Sequence, residues 1–373
     1  MSSSKLRFVG GGRWAQIVLG ELVKLNPKID IDWVTSYSSN KQNLINKFSK
    51  FDKNIKIFEI KDLQKLSTPE KVIIISHSIN HCRDFLIHNN SVPTLIEKPL
   101  FPNLKGFLNL SIIEKNHIFF NLEFYNAFFI NDFVSQIDLQ KIIALEIEWH
   151  DSFVESRANS ETKYSEVFSS IFMDQLLHVL SIVKAMEIDT SKFMNVDVFF
   201  EQNNLNGEVI IQCEKNNLNL RISLSRFSAK RTRKVKVNNG QISLDFSSKP
   251  IVKKNGNFVQ ELHFKNRLFP IAKTLEGFLS HSKEDPIKML SLNSLEHEIN
   301  FCFKCESLYT KIYTSNNHLF INDFDPFLIY FAGIKFYSKH SNKVNINSNF
   351  YLKGHQGLEE LKKWWKNSKS EFK

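Results

Sequence analysis

Apolar positions follow one rhythm up to about residue 125 and another after it. Residues 6–9 are a short apolar run ending in Gly10-Gly11-Gly12. Residues 15–25 then place Ile17, Val18, Leu22 and Leu25 at helical spacing. Runs at 29–34, 55–60, 72–75, 94–96 and 118–122 predict further strands, and 81–88 and 104–114 predict helices. Strands alternating with helices in this way predict a parallel sheet with helices on both faces, an α/β domain over residues 1–122.

The second rhythm predicts an α+β domain over residues 123–313. An alternating strand at 142–149 precedes a long apolar helix at 167–186. Short strands at 196–200, 208–213, 218–224, 233–237 and 242–246 follow, separated by Asn-rich turns such as Asn206-Gly207. Hairpin-linked strands imply a largely antiparallel sheet. Helices are expected at 271–278 and 294–312. Residues 314–373 form an extension with no role assigned, containing an apolar patch at 327–331 and an amphipathic stretch at 358–365.

Length and composition narrow the class. A chain of 373 residues suits two domains at about 150 residues each. Hydrophobic residues at 42% against 24% charged provide for a buried core and exclude disorder over most of the chain. No run approaches the ~18 to 20 apolar residues of a membrane span. The start, Met1 to Lys5, has no signal-peptide pattern, and four scattered cysteines suit a reducing cytoplasm.

The net charge of +10 invites a nucleic-acid reading. AT-rich coding DNA enriches lysine, however, and phosphate binding needs basic residues gathered on one face. The one cluster, Lys230 to Lys236, alternates like a strand and runs into Asn239-Gly240, a hairpin signal, so a solvated strand face is favoured. Cys302-x-x-Cys305 lies in a helical stretch with no second pair nearby, so helix packing is favoured over zinc.

Three motifs carry chemistry. Gly10, Gly12, Arg13, Trp14 and Ala15 form a G-x-G-x-x-A turn between a strand and a helix, the setting in which a dinucleotide pyrophosphate reaches a helix N-terminus. After the second strand no carboxylate follows Asp32, which lies inside the strand. Ser36, Ser38 and Lys41 would suit a 2′-phosphate, so NADP(H) is preferred over NAD(H). Glu97-Lys98-Pro99 closes the fifth strand, where doubly wound sheets bind ligands. On the apolar helix, Asp174 and His178 are four residues apart, one above the other on a stripe. Burying both costs several kcal/mol unless they pair or work, and a salt bridge and a general acid/base pair are both open.

With these motifs in this order, residues 5–312 resemble the Gfo/Idh/MocA oxidoreductases. Ser76-His77-Ser78-Ile79-Asn80-His81 is similar to that family's segment after the fourth strand, with His77 in place of proline. The resemblance implies a Rossmann domain followed by an α+β domain with an open-faced sheet. It implies hydride transfer between nicotinamide and a carbinol or carbonyl carbon of a sugar-, polyol- or nucleotide-sugar-like small molecule. Lys98, Asp174 and His178 would be catalytic, Ser76, His77, His81 and Glu97 would join the cofactor site, and Tyr164 would contact substrate. It further implies a cytoplasmic homodimer or homotetramer formed through the second sheet, with no nucleic-acid or membrane partner. Phe124, Tyr125 and Asn126 stand near a region where many sugar-acting relatives carry arginine. An imine or biosynthetic reductase, or a non-catalytic dinucleotide binder, are the alternatives.

Overall fold

The computed structural model describes residues 5–35, 46, 54–75, 92–98, 110–152, 154–156, 162–164, 171–203, 206–228, 230–280 and 289–315. The expected helix at 81–88, the first residues of the one expected at 167–186 and the extension beyond 315 lie outside them. The chain forms two compact units, Met1–Asn131 with Phe264–His297, and Asp132–His263 with Glu298–Lys373.

In the first unit, strands β1 (Lys5–Val9), β2 (Asp30–Thr35), β3 (Ile55–Glu59), β4 (Lys71–Ile74), β5 (Thr94–Ile96) and β6 (Ile118–Phe120) form a parallel sheet in the order β3-β2-β1-β4-β5-β6. This is the doubly wound order, whose direction reverses between β1 and β4. Helix α1 (Arg13–Leu25) buries Ala15, Val18, Leu19, Leu22 and Val23, the 3.6-residue stripe that its sequence shows. That stripe meets Phe8, Trp33 and Ile73 from the sheet. Of the helix expected at 104–114, residues 104–109 lie outside the described residues, 110 and 111 are non-helical, and α2 spans Ile112–His117.

The domain boundary differs from the expected one. Helix α3 (Phe128–Val134) follows a 3-10 turn at Glu123–Asn126, and the stretch expected to belong wholly to the second domain returns to the first. Helix α4 (Pro270–Ser280) places Ile271, Leu275 and Phe278 in the α1 core. The Phe278 ring stands edge-on to Phe119 at 6.1 Å, and Lys71 Nζ donates to its carbonyl at 2.9 Å. The N–H of Phe120 donates to Leu290 O at 3.0 Å. Periodicity marks which face of residues 271–278 is buried, but not which unit receives it.

The second unit is an eight-stranded, mostly antiparallel sheet. Its strands are β7 (Ala144–Ser152), β10 (Met194–Asn203), β11 (Asn206–Lys215), β12 (Leu218–Ser228), β13 (Thr232–Val237), β14 (Ile242–Asp245), β15 (Ile251–Lys254) and β16 (Asn257–Glu261). The order is β10-β11-β12-β7-β13-β14-β15-β16, with β12 and β7 parallel. Strands β8 (Val154–Ser156) and β9 (Thr162–Tyr164) form a separate pair. Asn238, Asn239 and Gly240 turn with positive φ between β13 and β14, as the Asn-Gly signal predicts. Asn255 and Gly256 do the same before β16.

Strand β13 corrects one expectation. Lys234 and Lys236 are partly exposed but engaged with Glu146 and Glu148 of β7 and Asp245 of β14. Arg233 is not on that face at all. It is buried with Val235 and Val237 on the other side.

The long apolar helix begins, among the described residues, with Ile171 and a π turn over Phe172–Leu176, and continues as α5 (Leu177–Ala185). Helix α6 (Glu296–Ser315) buries Cys302 and Cys305, and burial pushes both thiols well above their usual range. Glu298 on α6 accepts from Lys184 Nζ at 3.1 Å and from Thr190 Oγ1 at 2.8 Å. No helix among the described residues is long and apolar enough to cross a membrane.

Candidate functional site

The turn after β1 lies where the strand order reverses, beside the end of β4. Gly10 has φ +131°, and a Cβ there would collide with the Ile75 carbonyl and press on Ala15. Only glycine fits, because both the dihedral and the neighbouring backbone exclude a side chain. Trp33 on β2 staples the turn, its indole N–H donating to Gly10 O at 2.6 Å, while Gly10 N donates to Val34 O at 2.9 Å. A Cβ on Gly11 would collide with the Thr35 hydroxyl.

Gly12 is different. It has ordinary extended dihedrals, and a Cβ there would meet nothing within 4 Å. The protein itself does not require this glycine. Gly12 is the N-cap of α1 and supplies no side chain to cap the first-turn N–H groups. A bare, open helix N-terminus fits a pyrophosphate: the amides supply donors and the helix dipole favours the anion. Arg13 is exposed and Ala15 buried in that first turn.

Trp14 reaches further. Its indole Nε1–H donates to Glu97 Oε1 at 2.6 Å, and the Asn121 amide, just past β6, donates to the same oxygen. Hydrogen bonds to a charged acceptor contribute about 1.5–3 kcal/mol each, so this half-buried carboxylate is firmly held. Glu97 N donates to Ile74 O at 3.0 Å, which carries the ladder past the end of β5, and half-buried Lys98 follows. Asp32 is engaged within β2: it is buried, with Lys5 Nζ at 3.0 Å and Arg7 at 3.8 Å. Ser36, Ser38, Lys41, Ser76, His77 and His81 lie outside the described residues.

In the second unit Asp174 and His178 are both partly buried. Asp174 belongs to the π turn and His178 to α5, so the pair does not form the simple i,i+4 stripe that a regular helix predicts. A π turn hydrogen-bonds i to i+5, and such turns concentrate at functional sites. The His178 imidazole stacks on the Trp149 indole, with ring centroids 5.1 Å apart and planes 20° apart. The Arg233 guanidinium lies 3.9 Å from the centroid of that same indole. Arg233 is ion-paired with Asp151, and its Nη1 also donates to the carbonyls of His150 and Thr232. Burial pulls the Arg233 pKa down to about 10 against the opposing pull of Asp151. Gln175, inside the π turn, donates to Asp151 Oδ2 and to Ser225 O, both at 3.0 Å.

Tyr164 lies on β9, in register with Val154, and its side chain is outside the described residues. Phe124, in the 3-10 turn, is buried edge-on to Phe129 at 6.3 Å. Sequence reasoning missed Trp33, Asn121, Trp149, Gln175 and Arg233 as site residues. For Arg233 a signal existed, since strand alternation already puts it with Val235 and Val237. Asn121 follows an apolar strand directly, as Glu97 does.

No protein-family model matches the sequence, and no curated protein matches it. Solved structures do. The chain is similar to a Gfo/Idh/MocA family oxidoreductase from Vibrio cholerae, with TM-score 0.62 and 15% identity over 84% of this chain and 99% of that one. It is similar to the UDP-N-acetylglucosamine 3-dehydrogenase GnnA from Acidithiobacillus ferrooxidans, with TM-score 0.62 and 11% identity over 83% and 99%. It is also similar to biliverdin reductase from Synechocystis sp. PCC 6803, solved with biliverdin and NADP+, with TM-score 0.60 and 12% identity over 83% and 100%. Nearly the whole of each neighbour is matched, and both sheets of this chain agree with that architecture: the chain has the fold of the Gfo/Idh/MocA oxidoreductases.

Proposed function

We propose that the protein is an oxidoreductase that binds a nicotinamide dinucleotide, NADP(H) in preference to NAD(H). It would act on a carbinol or carbonyl carbon of a sugar-, polyol- or nucleotide-sugar-like small molecule. The observation that carries this reading is the Gly10–Gly12 turn, with one glycine demanded by the backbone and a second, at the helix N-terminus, left open. Neighbours of the same fold include dehydrogenases and a reductase solved with NADP+, which supports the chemistry by analogy of fold.

When bound, the nicotinamide supplies or accepts the hydride. First-turn amides of α1, with Gly12 and Arg13, hold the pyrophosphate, and Ser36, Ser38 and Lys41 meet the 2′-phosphate. Ser76, His77, His81 and Glu97 complete the cofactor site. Lys98 Nζ donates a hydrogen bond to the reacting oxygen, where a fixed cation stabilises developing alkoxide charge. His178 Nδ1 or Nε2 takes the hydroxyl proton in oxidation and returns it in reduction, with Asp174 in the role of its polar partner and Tyr164 in that of a substrate contact.

The test is loss of reduced-nicotinamide absorbance on adding UDP-linked keto-sugars or inosose-type ketones to protein with NADPH. With an active substrate in hand, Lys98→Ala lowers turnover about a hundredfold or more while dinucleotide binding survives. His178→Ala removes the limb of the pH–rate profile near neutrality. Unchanged turnover in the first variant, or an unchanged limb in the second, removes that residue from the mechanism. The same reading places the protein in a reducing cytoplasm, where the buried Cys213, Cys302 and Cys305 stay thiols, and makes it a homodimer or homotetramer through the eight-stranded sheet. Light scattering of the purified protein checks the assembly; a monomer contradicts it.

A further inference from the structure

We infer that Trp14 and Asn121 are positioning residues that tie the dinucleotide turn to Lys98 through the Glu97 carboxylate. The inference rests on the dinucleotide-binding reading above and adds a residue chain to it.

Four observations carry it, all within the first unit. Trp14 lies two residues after the open Gly12, in the first turn of α1. Its indole N–H ends 2.6 Å from Glu97 Oε1, across 83 positions of sequence. Asn121 donates to that same oxygen from the end of β6, and Asn121 N donates to Ile96 O at 2.8 Å, so the amide is itself fixed to β5. Glu97 is the residue before Lys98.

One carboxylate oxygen therefore gathers donors from the first helix and the last strand, directly before the lysine assigned to the reacting oxygen. A half-buried carboxylate oxygen that holds two donors exchanges partners reluctantly, because losing either leaves a partly desolvated charge less well satisfied. Trp14 also packs on the α1 core, so its indole has little freedom to turn away. A ligand that settles the Gly12–Trp14 turn thus settles Glu97, and with it the backbone from which Lys98 projects. A tryptophan that merely filled space would not need its N–H aimed at a charged acceptor.

Hydrogen exchange read by mass spectrometry tests the coupling without a known substrate. In the wild-type chain, saturating NADPH (or NADH, whichever binds tighter) should slow exchange both in residues 10–16 and in residues 94–98. Trp14→Phe keeps an aromatic ring in the core and removes the donor. The variant is compared at a dinucleotide concentration that saturates it, so that occupancy equals that of the wild type. Protection of 10–16 should remain, and protection of 94–98 should be lost. Asn121→Ala, which removes the second donor, should give the same split and serves if Trp14→Phe does not fold. Protection of 94–98 that persists in a folded variant overturns the inference and leaves the dinucleotide reading intact. A wild-type chain that binds neither dinucleotide overturns both.

Discussion

Two glycines two positions apart do different work at the residue scale. Gly10 is required by the fold, through its positive φ and the nearby Ile75 carbonyl; Gly12 faces open space. Gly10→Ala should therefore cost about 2–4 kcal/mol of stability, read as a lowered denaturation midpoint. Gly12→Val should cost no more than about 1 kcal/mol, the scale of an N-cap change. It should nevertheless weaken dinucleotide binding about tenfold or more, because its side chain fills the approach to the helix N-terminus. Equal losses of stability in the two variants would contradict this division.

His150 supplies a pH prediction. Its pKa is lowered by burial, with Glu208, Glu148 and Asp151 pulling it up and Arg233 pushing it down. Its Nε2 and the Ser223 hydroxyl are 2.7 Å apart, and that hydroxyl donates to Glu208. A folded-state pKa below the unfolded value means that the unfolded chain takes up the proton first. The stability associated with neutral His150 is complete above its ordinary value of 6.5 and is lost as pH falls through the lower, folded value. His150→Gln should flatten that part of the stability–pH curve. An identical slope in both proteins would assign the acid limb to other groups.

Much of the element scale was legible. Short unbroken apolar runs located every strand of the parallel sheet to within a residue or two, because strands covered on both faces are buried continuously rather than alternately. Asn239-Gly240 announced its hairpin through the left-handed dihedrals that Asn and Gly tolerate. Asn255-Gly256 carries the same signal; β15 is only four residues long with Val252 alone fully buried, and β16 exposes Phe258 and Val259 and does not alternate in burial, so neither showed a strand pattern. The π turn was not legible, since a register change leaves no mark in composition; it shows in the backbone over Phe172–Leu176, from which Gln175 reaches Asp151 and Ser225.

That cluster makes its own prediction. Arg233→Met preserves the apolar stem over Trp149 but leaves Asp151 without its cation. Breaking a buried pair costs about 3–5 kcal/mol, and the 24% exposure of Asp151 moves the expectation to the lower end. A denaturation midpoint unchanged by this substitution would show that Arg233 contributes packing alone.

For the whole molecule, the architecture was legible and the cut between units was not. An amphipathic helix announces that one face is buried but is silent on its receiver, so the return of α4 onto α1, Phe119 and the 3-10 turn at Glu123–Asn126 had to be seen. Within the first unit, the glycine turn and the lysine at the end of β5 are what the dinucleotide reading rests on.

Titration of the purified protein with NADPH and, separately, with NADH, followed by fluorescence, tests that most directly. Saturable binding, tighter for NADPH, is the predicted result. Binding of neither dinucleotide would contradict the account and leave a doubly wound domain whose open glycine serves no cofactor.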